Sequence, residues 1–133
     1  MKTGQKYEKI FSGFGSASVS ILPVFSREEA NSRETVELIE QSTGIFISGG
    51  SQVTFAASVG GTKLETALVN QYQKGVLTGG TSAGASLASS IMVAGGKPFT
   101  YPRRRSIRLS SGLGLIQDVI IDQHFRERDR IYR

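Results

Sequence analysis

Helical and strand-like spacings of apolar residues alternate along this chain, separated by small or charged residues. Residues 7–14 read as the end of a helix. Residues 17–24 (Ala-Ser-Val-Ser-Ile-Leu-Pro-Val) read as a strand that Pro23 closes, because proline offers no donor to a ladder. Ser26-Arg27-Glu28-Glu29 has the serine-to-glutamate spacing of a capping box, which starts a helix by satisfying its first free amides. Val36 and Ile39 lie three apart with Leu38 beside them, giving residues 35–41 a partial helical face. Residues 43–48 form the clearest buried strand, which ends at Gly49-Gly50. Helical spacing returns over 63–74, with Leu64, Ala67, Leu68 and Tyr72 on one side. A strand over 74–79 follows, then a helix of small residues over 83–90 and a short strand over 91–94. Residues 95–105 are polar and basic and carry two prolines, the composition of a loop. A turn at 111–115 leads to a strand over 119–122, which delivers Gln123-His124-Phe125 at its carboxyl end. Strands alternating with helices predict α/β layering around a largely parallel sheet.

Composition restricts the picture further. With 133 residues, 38% hydrophobic and 20% charged, the chain has the size and make-up of one soluble domain at most, numbered 1–133. The first segment starts inside a helix and residues 126–133 look like an element that stops short, so the domain reads as partial. No apolar run is long enough to span a bilayer, and Met1 to Lys6 lack the apolar core of a signal peptide. A cytoplasmic protein without membrane contact is the expectation. There is no cysteine and a single histidine, which excludes a disulfide framework, a thiolate metal site and a histidine-rich metal site. The net charge of +5 is concentrated at Arg103-Arg104-Arg105, at Arg108, and at Arg126, Arg128, Arg130 and Arg133. The last group alternates with Glu127 and Asp129 and has no regularly spaced stacking aromatics, which disfavours nucleic acid. An anionic small substrate or peptide suits it better.

Candidate chemistry begins at Gly80-Thr81-Ser82-Ala83-Gly84, a G-x-S-x-G pattern where a strand should turn into a helix. A nucleophile elbow needs small neighbours, because the turn is strained and the serine Oγ must stand exposed above the sheet. The amide of Ala83, opening the next helix, would point at a developing oxyanion. The competing interpretation is a glycine-rich turn with an incidental serine. Serine is a weak nucleophile until a base takes its proton, and His124 is the one histidine available. Its predicted place, just past a strand end, is on the edge where open parallel sheets bind ligands. A structural histidine is the alternative. Gly49-Gly50 lies at a second strand end, where the Gly50 amide could complete an oxyanion hole with Ala83. Gln52 could hydrogen-bond a substrate amide or carboxylate, or simply face water at a helix start. Between Ser82 and Asp118 there is no acidic residue to orient the histidine. Asp122 shares the face of His124 by strand period, without any assurance of reach.

Three ordered blocks resemble cyanophycinase: Ile45 to Gln52, Gly80 to Ala85, and Gly112-Leu113-Gly114-Leu115 followed by Asp122-Gln123-His124-Phe125. That family belongs with the aspartyl dipeptidases among serine peptidases, and the likeness runs from Ser26 to Arg133. The resemblance implies a three-layer α/β/α fold with a mostly parallel sheet, class I glutamine-amidotransferase-like (flavodoxin-like) and incomplete here. It implies hydrolysis of the β-aspartyl-arginine linkages of cyanophycin, or of another aspartyl peptide, by Ser82 with His124 as base and then acid. Ala83 and Gly50 would hold the oxyanion. Gln52, Asp122, Gln123, Arg128, Arg130 and Arg133 match positions of substrate binding or site architecture. No metal or organic cofactor is implied, and family members are commonly homodimers. Ser51 stands where an acidic residue commonly precedes the glutamine, and the family is longer at both ends. An aspartyl dipeptidase of the same fold, or an inactive remnant acting through association, are the alternatives.

Overall fold

The computed structural model describes residues 2–96 and 106–130. Helix α1 (Lys2–Gly13) is followed by α2 (Arg27–Asn31) and α3 (Arg33–Glu40). Strand β1 (Gly44–Ile47) leads through α4 (Gln52–Val59) and α5 (Lys63–Gln73) to β2 (Leu77–Gly80). Helix α6 (Ala83–Leu87) then precedes a hairpin of β3 (Ile91–Gly96) and β4 (Ile107–Ser111). Strands β1 and β2 are parallel, with Ile47 opposite Gly80, so both strands reach the same carboxyl end of the sheet together. Helices around a parallel pair make an α/β fold, as the alternating pattern predicts. The hairpin is antiparallel and bulged between Val93 and Gly95.

The faces of β1 follow the two-residue period of a strand. Phe46 meets α1 through Tyr7 and Phe11, with ring centroids 4.8 and 5.2 Å away. Ile45 and Ile47 face the other way, toward a core of Ile39, Val59, Leu64, Leu68, Leu87, Met92 and Leu113. Helix starts are satisfied locally. Ser26 and Glu29 form the expected capping box, and Ser32, Ser51 and Thr62 each accept an amide from the turn they open. No helix among the described residues is long and apolar enough to cross a membrane.

Several expectations are corrected. Residues 17–24 belong to no strand, since among the described residues no strand pairs with them; Leu22 and Val24 pack against the core instead. Residues 119–122 are not a strand either. The backbone of Ile121 is held by side chains, its carbonyl accepting from Ser86 Oγ at 3.0 Å and its amide donating to Ser89 Oγ at 3.2 Å. The helix predicted over 83–90 stops at Leu87, and the strand of 74–79 starts at Leu77 and runs to Gly80. Gly95 and Gly96 continue β3 instead of opening a loop, while 97–105 lie outside the described residues. Helix α4 and strand β4 were not legible in the pattern. On α5 the buried residue one turn beyond Leu68 is Gln71; Tyr72 is 38% exposed. Gln71 Nε2 donates to the carbonyls of Ile39 (3.3 Å) and Glu40 (2.9 Å), closing the end of α3.

Candidate active site

The turn from β2 into α6 holds Ser82 at φ 55° and ψ −115°, a conformation that side-chain-bearing residues avoid. Such strain costs on the order of 1–3 kcal/mol and persists only where the surroundings enforce it. Here they do. A Cβ on Gly80 would stand 2.6 Å from the Gly84 carbonyl carbon, and one on Gly84 would overlap the Ile47 carbonyl oxygen. Thr81 N donates to that same Ile47 oxygen at 3.1 Å. Both glycines of the G-x-S-x-G pattern are therefore space requirements, where helix α6 presses onto the end of β1. Gly49 adds a third, since its Cβ would sit 3.3 Å from Ser82 Cβ. The sequence singled out its neighbour Gly50, which is exposed with φ 152°. Ala83 is buried as the first residue of α6, where its amide has no partner within the helix.

His124 arrives from a loop, not a strand end, and its Nε2 lies 2.8 Å from Ser82 Oγ. Its own φ is 51°. Three anchors bring it there. Ser86 and Ser89, both fully buried, pin Ile121. Asp122 Oδ1 accepts the Gln123 amide at 2.8 Å. Arg130 Nη1 donates to the Gln123 carbonyl at 2.5 Å and lies 3.9 Å from Asp122 Oδ1. The two serines escaped the sequence reading because a run of small residues looked merely helix-compatible. Ser86 lies in α6 but Ser89 follows its end at Leu87, bridging to Ile116, so helical spacing does not link the two.

The remaining polar residues form a connected row. Ser82 Oγ lies 2.6 Å from Gln123 Oε1, Gln123 Nε2 donates to Gln52 Oε1 at 3.2 Å, and Gln52 Nε2 donates to the Val93 carbonyl at 2.9 Å. Gln52 is thus turned inward from the first position of α4, contrary to a residue facing water. The structure brings Ser82, His124, Gln123, Gln52, Asp122 and Arg130 into one bonded cluster. Arg128 is exposed in the turn after His124, its amide donating to the His124 carbonyl at 3.1 Å. Arg133 and Arg103-Arg104-Arg105 lie outside the described residues. Among the described residues no group of His, Asp and Glu could hold a metal ion. A strained serine bonded to an imidazole, at the start of a helix, has the parts for nucleophilic acyl transfer.

Comparison with known proteins gives a consistent setting for this geometry. The model of peptidase family S51 matches residues 3–133. Cyanophycinases from Synechococcus elongatus and Thermosynechococcus vestitus are each 39% identical over 131 residues, 98% of this chain and 41% of theirs. That of Geminocystis herdmanii is 36% identical over the same length, 48% of its own chain. The chain spans less than half the length of these curated relatives. The crystal structure of a peptidase from an acI-B1 actinobacterium superposes with a TM-score of 0.71 at 25% identity, covering 96% of this chain and 52% of that one.

Proposed function

This chain belongs to peptidase family S51, and on that premise we propose that it is the catalytic part of a serine-type exopeptidase that hydrolyses β-aspartyl-arginine linkages of cyanophycin. The observation that carries the proposal is the strained Ser82 with its Oγ 2.8 Å from His124 Nε2. In this reading Ser82 Oγ attacks the isopeptide carbonyl carbon while His124 takes its proton. The oxyanion forms against the amides of Ala83 and Gly50, donors oriented before the charge develops. Collapse breaks the C–N bond, and His124 passes the proton to the leaving amine. Water, deprotonated by the same imidazole, then cleaves the acyl-serine.

The other residues divide by their surroundings. Gln52, Gln123, Asp122 and Arg130 shape the site through their bonds to one another, and the side chains of Gln52 and Gln123 also face the substrate. Exposed Arg128, and Arg133 by resemblance, are suited to grip substrate carboxylates, which a guanidinium can hold through two parallel bonds. The 133 residues form part of a single peptidase domain, working in the cytoplasm as a homodimer without metal or organic cofactor.

Release of β-Asp-Arg dipeptide from cyanophycin tests this reading. Ser82→Ala and His124→Ala should each reduce release by at least about a thousandfold, as loss of a nucleophile or base does elsewhere. Release by Ser82→Ala at the parent rate would sink the serine mechanism. Preference for α-aspartyl dipeptides over cyanophycin would keep the mechanism and replace the substrate.

A further inference from the structure

The hydrogen bonds around Ser82 have a direction that a serine–histidine pair alone does not require. At one end stands the Val93 carbonyl, which can only accept, so Gln52 must turn its NH2 toward it. Gln52 Oε1 then faces Gln123, whose own NH2 must donate to it. Gln123 Oε1 is left facing Ser82 Oγ at 2.6 Å. Two oxygens at that separation need a hydrogen between them, and only the serine has one to give. His124 Nε2 lies at 2.8 Å from the same Oγ, but a hydroxyl has one hydrogen. With that hydrogen on Gln123, the imidazole donates its Nε2–H to Oγ and cannot act as a base toward it.

We propose that Gln123, oriented through Gln52 by the Val93 carbonyl, holds the Ser82 proton in the free protein, and that a hydrogen-bond donor on the substrate releases it. The inference rests on Ser82 and His124 being nucleophile and base. A substrate N–H beside the scissile carbonyl bonds Gln123 Oε1 and ends its need for the serine hydrogen. The imidazole gives its Nε2 proton to water and takes one at Nδ1, so no net proton is gained or lost. The hydroxyl then rotates to donate to Nε2, and attack can follow. Gln123 is thus a positioning residue that makes serine activation conditional on the occupant. A ligand without a suitably placed donor leaves the serine at rest.

The test uses phenylmethanesulfonyl fluoride, which modifies activated serines and offers no donor to Gln123. Labelling of Ser82 is followed by intact mass over time, with a thermal melt of each variant. Gln123→Met removes the acceptor at similar volume and should be labelled roughly three- to tenfold faster than the parent, the worth of about one ordinary hydrogen bond. Its KM for peptide should rise. Gln123→Glu keeps an acceptor toward Oγ and should stay slow. Gln52→Leu frees Gln123 to turn and should accelerate labelling by a smaller factor; it decides the matter if Gln123→Met fails to fold. Labelling that needs both Ser82 and His124 yet is not accelerated in the folded Gln123 or Gln52 variants overturns the proposal alone. Labelling absent from the parent and from Gln123→Met, or unchanged by Ser82→Ala, overturns the nucleophile assignment and this proposal with it.

Discussion

Ser82 has its unusual backbone because two glycines leave room for it. Gly84 lies against the Ile47 carbonyl and Gly80 against Gly84, so the turn is held by backbone contacts with no side chain between them. This predicts that Gly84→Ala must push α6 off the end of β1. Overpacking of this kind costs about 1–3 kcal/mol, and we expect a melting temperature lower by several degrees together with loss of any hydrolytic activity. A variant that melts with the parent would show that the turn has slack this geometry denies it. The five-residue pattern could be seen in the sequence because Gly80 and Gly84 lie within four residues of one another, although the Ile47 carbonyl that Gly84 must clear belongs to a distant segment. The partners of Ser82 were harder to read. Gln123 and Gln52 are 41 and 30 residues from it, and their bonding to each other depends on which way two amides turn.

At the scale of elements, the helices were more legible than the strands. Residues 63–74 repeat apolar positions at helical spacing, and α5 buries Leu64, Ala67 and Leu68 as that spacing requires. The error lay at the next position, because hydropathy ranks Tyr72 above Gln71. A glutamine is buried there because the last carbonyls of α3 lack partners within their own helix, and Gln71 Nε2 supplies one. Gln71→Ala should therefore cost about 0.5–1.5 kcal/mol, the worth of an ordinary hydrogen bond, since the Ile39 carbonyl keeps the Ser42 amide at 3.1 Å. Urea unfolding checks this; a midpoint unchanged from the parent would mean that water replaces the amide without loss. The two false strands share a cause. Residues 17–24 and 119–122 have β-like composition, but a strand exists only when another pairs with it, and that pairing is not in the segment's own residues.

Across the whole molecule, the site is assembled from three separated stretches: 49–52, 80–89 and 121–130. Their junction is the pair of buried serines on and after α6 that hold Ile121. Ser86→Ala removes a donor from the Ile121 carbonyl and should lower stability by about 1–2 kcal/mol. Because Ile121 precedes His124 by three residues, hydrolysis should fall through kcat more than through KM. A stability loss with kcat intact would show that Arg130 and Asp122 suffice to place the imidazole.

The capped start of α2, the helical spacings that became α3 and α5, the G-x-S-x-G pattern and the block containing His124 were readable from local spacing and residue type. These features depend on neighbours a few residues apart, where backbone geometry alone sets who meets whom. Which segments pair as strands, which serines are buried, and which way the glutamines point toward Ser82 were decided only in three dimensions. Each depends on a partner tens of residues away, and the chain must fold before a hydrogen bond can choose between two acceptors.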